Sequence, residues 1–149
     1  MKFILVFAVI VATWAAGVLT AARTEQGTQQ ATSTWSGVYT EEQAALGQET
    51  YTKHCSECHG QDLGGDGFAP SLKGPDFMNN WNGLTLGELF DRIRISMPPS
   101  DPNIATSKEK ADILAYLLKQ DGFPAGTTEL AASVDALKAI KFEATKPGR

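Results

Sequence analysis

Three stretches of the chain repeat apolar residues at helical spacing, and a fourth is a long apolar run without a charge. Ala44, Gly47, Tyr51 and Cys55 recur at steps of three and four behind Thr40, an N-cap residue, with Gln43 placed to complete a capping box. They predict a first helix that runs straight into the cysteines. Leu86, Leu89, Phe90 and Ile93 predict a second, with Thr85 as cap and Glu88 as its box partner. Ala111, Ile113, Leu114, Tyr116, Leu117 and Leu118 predict a third; Ser107 or a neighbour caps it, and Gly122 and Pro124 end it. Residues 60–80 are rich in Gly, Asp, Asn and Pro and read as turns, and Ser96 to Pro102 reads as a Pro-rich loop. Beyond Gly126 the pattern weakens: Leu130 to Ile140 is faintly helical and Lys138 to Phe142 reads as a short extended piece. No internal repeat and no sheet of any size is visible, so the predicted class is all-α.

The apolar run, Phe3 to Leu19, carries no charge, follows the single charge of Lys2 and leads into Thr20-Ala21-Ala22, which reads as a small-residue cleavage site. Residues 1–22 therefore read as an export signal or, uncleaved, as a membrane anchor with Lys2 on the cytoplasmic side. Residues 23–38, rich in Thr, Gln, Ser, Ala and Gly without a period, read as a flexible linker. The folded domain is then expected at 39–124, with 125–149 as a C-terminal extension.

Charge and glycines narrow the function. A formal charge of −4 argues against a nucleic-acid partner, which calls for a basic face. Gly64, Gly65 and Gly67 lack the Gly-Lys-Ser/Thr ending and the preceding strand of a phosphate loop. Asp62 and Asp66 lack the acidic residue that would close a calcium loop at the required spacing.

The chemistry concentrates at Cys55-Ser56-Glu57-Cys58-His59, which holds both cysteines of the chain. A disulfide across two intervening residues would restrict the unfolded chain little. A thioredoxin-type pair wants strands around it, and a zinc site wants four ligands, of which His54 would be a badly placed one. Cys-x-x-Cys-His spacing instead lets two thiols add to the vinyl groups of haem while the next imidazole reaches the iron. Export agrees, because c-type haem is attached outside the bacterial cytoplasm.

Around that motif the chain from about residue 40 to 124 resembles the class I cytochrome c domains of bacteria. Gly47, Tyr51 and Cys55 match the family's N-terminal helix and Asp112-Ile113-Leu114-Ala115-Tyr116-Leu117 its C-terminal helix. Ala69-Pro70-Ser71-Leu72 resembles its Pro-x-Leu segment beside the haem, and Met97-Pro98 its distal ligand loop. The resemblance implies a small fold of three or four main helices around one covalent haem c, with the first and last helices crossing at Gly47. It implies that the Pro70 carbonyl accepts the free ring N–H of His59, and that Met97 is the second iron ligand. Met78 and His54 remain the alternatives for that position, or an open iron. Leu72, with Phe68, Phe77, Leu89, Ile93 and Leu117, should wall the ring. Trp81, or Arg92 or Arg94, can meet a haem propionate, with core packing and a solvated face as the plainer readings.

The function so implied is a mono-haem electron carrier, not an enzyme, working in a respiratory chain on the periplasmic or extracytoplasmic side, with membrane contact only through an uncleaved leader. Its partners would be redox proteins, components of a dehydrogenase or an oxidase. Gly122-Phe123-Pro124 to Lys141 is similar to tails of cytochromes that accompany periplasmic quinoprotein alcohol dehydrogenases. The rival readings are a haem subunit of a fixed complex, a gas sensor or peroxide-reducing enzyme, and a thiol–disulfide oxidoreductase.

Overall fold

A computed structural model describes residues 32–148. The predicted leader and residues 23–31 of the predicted linker lie outside them. The elements in chain order are β1 (Thr32–Ser33), a 3-10 turn (Thr34–Ser36), α1 (Glu41–His54), α2 (Ser56–His59), α3 (Gly74–Trp81), α4 (Leu86–Ser96), α5 (Ser107–Gln120), α6 (Val134–Leu137) and β2 (Ile140–Lys141). Among the described residues no helix is long and apolar enough to cross a membrane.

The three helices with clear periods form where their caps allow. Thr85 with Glu88, and Thr106 with Glu109, close reciprocal capping boxes at the starts of α4 and α5. The α5 cap is thus Thr106, the neighbour of Ser107. At α1 only half a box forms: the Thr40 hydroxyl accepts the Gln43 N–H at 3.1 Å. The Gln43 side chain is buried and turned away, donating to the Leu130 carbonyl at 3.1 Å and accepting the Leu130 N–H at 2.8 Å.

The core is built on the crossing of α1 and α5. Every residue of α5 from Lys110 to Leu118 is buried, because α1 covers one side and α4 approaches the other. A Cβ on Gly47 would stand 1.8 Å from the Asp112 carbonyl oxygen, so only glycine lets the two backbones meet there. One turn on, Tyr51 packs against Tyr116 with ring centroids 5.4 Å apart.

Three parts of the chain differ from the sequence reading. α3 lies where turns were expected. Its Gly74-Pro75-Asp76 start looks like turn chemistry, yet proline's fixed φ suits a first helical turn equally well. The Asp121 carboxylate beyond the end of α5 accepts the Gly74 N–H at 2.7 Å. Residues 32–38 are not a flexible linker: β1 pairs in parallel with β2. Trp35 stacks on Phe123 at 4.7 Å and donates its indole N–H to the Glu143 carbonyl at 2.8 Å. The polar composition concealed this, since the segment is held by backbone pairing and one aromatic.

The predicted extension is likewise part of the domain. Leu130, Leu137 and Phe142 are buried in the same core, with Phe142 edge-on to both Phe77 and Phe123. Phe142 also exchanges backbone hydrogen bonds with Gly83 and Leu84, each 2.8 Å. α6 rests on α4 where a Cβ at Gly87 would meet the Val134 carbonyl at 2.7 Å. The folded unit is therefore continuous from β1 through β2.

Two outcomes follow from this packing. Gly47→Ala should cost at least about 2 kcal/mol, since overpacking a tight contact costs roughly 1–3 kcal/mol and here the clash is with backbone; thermal or denaturant unfolding measures it, and an unchanged midpoint would refute the close crossing. Burial pushes the Asp121 carboxyl from its ordinary 3.8 up to about 6, against the Gly74 N–H and Lys73, which pull it down, and among the described residues its second oxygen has no hydrogen-bond partner. Between those values the folded chain keeps a proton that the unfolded chain has released. Stability from this group is thus full below the lower value and lost as pH rises through the upper one. Asp121→Asn keeps the oxygen facing Gly74 without the charge, so its stability relative to the parent should improve from about pH 4 to about pH 7; a difference that stays flat or reverses would contradict the buried-charge reading.

Candidate functional site

The chain leaves α1 at Cys55, whose N–H still bonds to the Tyr51 carbonyl at 2.8 Å, and re-enters one short turn, α2. Cys55 is half-buried, Cys58 exposed and His59 almost fully buried, and neither thiol is in a disulfide. Burial, the largest influence on the Cys55 thiol, pushes it up to about 11. A thiol held that high carries no useful thiolate near neutral pH, which opposes thiol–disulfide exchange as its task.

His59 is held from two sides. The Tyr51 hydroxyl donates to the Gly60 carbonyl at 2.7 Å and fixes the end of α2. The His59 Nδ1 lies 2.9 Å from the Pro70 carbonyl oxygen. A carbonyl can only accept, so Nδ1 carries a proton, and in the neutral ring the lone pair is that of Nε2.

The loop that presents Pro70 is wound tightly. Leu63, buried and in the left-handed region at φ 64°, offers its carbonyl to the Leu72 N–H and the Ser71 hydroxyl. The Asp66 carboxylate accepts the N–H groups of Phe68 and Ala69, and these bonds, Ala69 first, hold its pKa below the ordinary carboxylate range. Asp62 does the same for the Gly64 N–H. The two acids shape the turn, and among the described residues no cluster of acids, histidines and cysteines could hold a metal ion by itself.

Cys55, Cys58, His59 and Pro70 border a cavity of about 340 Å³, within the range of small-molecule sites. Its walls are mostly apolar: Phe77 and Trp81 from α3, Leu89 and Ile93 from α4, Ile113 and Leu117 from α5. Cys55, Cys58, His59, Pro70, Leu72, Trp81 and Met97 all line it, so these seven residues face one space. Met97 sits at the C-cap of α4, its N–H on the Ile93 carbonyl, with Pro98 and Pro99 also on the wall. His54 and Arg92 reach the lining as well.

Other expectations fail. Phe68 is fully exposed and walls nothing, because the Asp66 turn throws it outward. Arg94 is paired with Asp91 at 2.7 Å and does not line the cavity. Met78 packs half-buried against the core instead of lining the cavity, which leaves Met97 as the methionine there. One residue escaped the sequence reading altogether. Lys110 is 2 % exposed and its ammonium is surrounded by carbonyls of the Met97 loop. The signal was available: Lys110 stands three, four and seven residues before Ile113, Leu114 and Leu117, a cation on an apolar stripe.

A cavity with apolar walls, two free thiols and an imidazole held through Nδ1 on its border, and a thioether also facing it fits haem c in polarity and donor set. Comparison with known proteins agrees. The family model described as cytochrome c oxidase, cbb3-type, subunit III matches residues 42–117, just over half of the chain. The cbb3-type cytochrome c oxidase subunit CcoP of Rubrivivax gelatinosus is 26 % identical over 95 residues, which covers 63 % of this chain and 31 % of the relative. This chain thus spans less than a third of that curated relative's length. No solved structure gives a significant match. Since the matched span runs from α1 to α5 and contains every residue of the cavity wall, the chain belongs to the cytochrome c oxidase, cbb3-type, subunit III family, as an all-α c-type cytochrome domain that carries covalently bound haem c and transfers electrons.

Proposed function

We propose that the chain is a mono-haem electron carrier of a respiratory chain, with Cys55 and Cys58 as the thioether attachments and His59 and Met97 as the axial ligands. The observation that carries this reading is the His59–Pro70 bond at 2.9 Å on the wall of a cavity that also holds both thiols and Met97. When bound, the haem supplies an iron that gains or loses one electron.

The chain's own residues set the conditions. The Pro70 carbonyl orients the His59 ring and makes it a stronger donor. Pro98 and Pro99 have no N–H, so the Met97 loop brings few donors to the distal side. A thioether paired with an imidazole raises the reduction potential above that of two imidazoles. Leu72, Phe77, Leu89, Ile93 and Leu117 exclude water and favour the less charged ferrous state. The indole of Trp81 and the guanidinium of Arg92, both on the lining, are the donors for propionate carboxylates. With His59 and Met97 both holding the iron, the chain would leave no position for oxygen chemistry and would act by outer-sphere transfer, not as an enzyme.

Residues 1–22 take the domain out of the cytoplasm, as signal or retained anchor, and it works on the periplasmic face. The partner is a redox protein. The relative is named as an oxidase subunit, which supports an oxidase component or a place inside a fixed complex. The likeness of 122–141 to tails found beside quinoprotein dehydrogenases supports a dehydrogenase as electron donor.

Absorption spectra of the exported protein with and without carbon monoxide test the reading. A ferrous c-type spectrum unmoved by carbon monoxide is expected, and Met97→Ala should make it respond and lower the potential. A parent protein that binds carbon monoxide freely would instead favour the gas-sensor or peroxide-reducing reading.

A further inference from the structure

The distal loop is held by a charge. The Lys110 ammonium donates to the carbonyls of Arg94 at 2.9 Å, Met97 at 2.9 Å, Ile93 at 3.3 Å and Pro102. Three N–H groups are shared among four oxygens, and two of those oxygens, on Ile93 and Arg94, belong to the last turn of α4: the Ile93 carbonyl also accepts the Met97 N–H, while the residue four beyond Arg94 is Pro98, which has no N–H to offer. The other two bracket the loop from Met97 to Pro102. Among the described residues Lys110 makes no ion pair.

That placement does nothing for its own helix. Lys110 lies in the first turns of α5, where the helix dipole disfavours a cation, and it is at the C-terminal end of α4, where the dipole favours one. A buried charge without a counter-ion is expensive unless its donors are used, and here the loop carbonyls use them. The lysine stem spans from α5 to the loop, so the backbone of Met97 is tied to the same helix that supplies Ile113 and Leu117 to the cavity.

We propose that Lys110 is the positioning residue of the distal side: its ammonium gathers the end of α4 and the 97–102 loop and so fixes the Met97 thioether toward the haem. The inference rests on Met97 being the second iron ligand. A buried positive charge beside that ligand also disfavours the ferric state, which adds to the potential in the same direction.

The test uses the full-length holoprotein, exported and carrying haem. Lys110→Met keeps the stem and removes the charge. Well below its unfolding midpoint, the ferric protein should lose most of the red charge-transfer band of methionine ligation. The ferrous protein should take up carbon monoxide at least about tenfold more readily, the loss of one charge-assisted hydrogen bond read as an equilibrium constant. Lys110→Arg should restore part of both. A Lys110→Met protein that is merely less heat-stable, with the band and the carbon monoxide resistance of the parent, would overturn the inference and leave a structural cap. Should that variant fail to fold with haem, Lys110→Gln, which can still donate to two carbonyls, decides the matter: weakened methionine ligation supports the proposal and parental ligation overturns it. Absence of the band in the parent protein would be a failure of the Met97 assignment itself, and is distinguishable on that ground.

Discussion

The contact of two helix backbones at Gly47 is the constraint from which the site descends. Because nothing separates α1 from the carbonyl of Asp112, the next turn of α1 lands Tyr51 against Tyr116. That position lets the Tyr51 hydroxyl reach the Gly60 carbonyl and pin the end of α2, and α2 carries His59. Push the helices apart by a methyl group and the imidazole loses its reference to α5, the helix that forms the far end of the cavity wall with Ile113 and Leu117. The helix crossing therefore acts on chemistry through three covalently or hydrogen-bonded steps, without any long-range agent.

A small domain with a cavity for a cofactor has given up apolar contacts that a solid core would have. The segments at the two ends of the described chain supply contacts elsewhere. Trp35, Leu130, Leu137 and Phe142 pack on the helices outside the cavity, and the Gln43 amide locks the tail to α1 through both polar groups of one backbone unit. Trp35 on Phe123, with Phe142 on Phe123 and Phe77, forms an aromatic chain that ends on α3, a cavity wall. The tail thus supports the site without lining it.

What sequence could reveal follows from how local the physics is. The Cys-x-x-Cys-His spacing, the apolar stripes of α1, α4 and α5 and the Thr85–Glu88 box are settled within one or two helical turns, and each is present in the fold. Gly47 and Pro70 were legible only through resemblance, since neither a close crossing nor a carbonyl acceptor has a composition of its own. The failures are tertiary. Gly74-Pro75-Asp76 satisfies turn and helix rules alike, and the Asp121 carboxylate, distant in sequence, is what caps it as a helix. Residues 32–38 have a linker's composition and a partner more than a hundred residues away. Phe68 was assigned to a wall by its hydrophobicity, while the backbone of the Asp66 turn decided its direction.

The two proposed axial ligands are fixed by opposite means, and this asymmetry has consequences. His59 is oriented through a proton on its own ring, so the Pro70 acceptor touches both the position of the ligand and its basicity. Met97 has no polar atom to grip, since a thioether is at best a weak acceptor. The end of its loop on α4 is held through backbone carbonyls, which call for a donor, and Lys110 brings one from α5. The imidazole also directly follows the two cysteines proposed to attach the haem, whereas the methionine side has one buried ammonium and two prolines. Of the two ligands the thioether is therefore the easier to release. The ligation proposed for Met97 would last only as long as that ammonium stays in place.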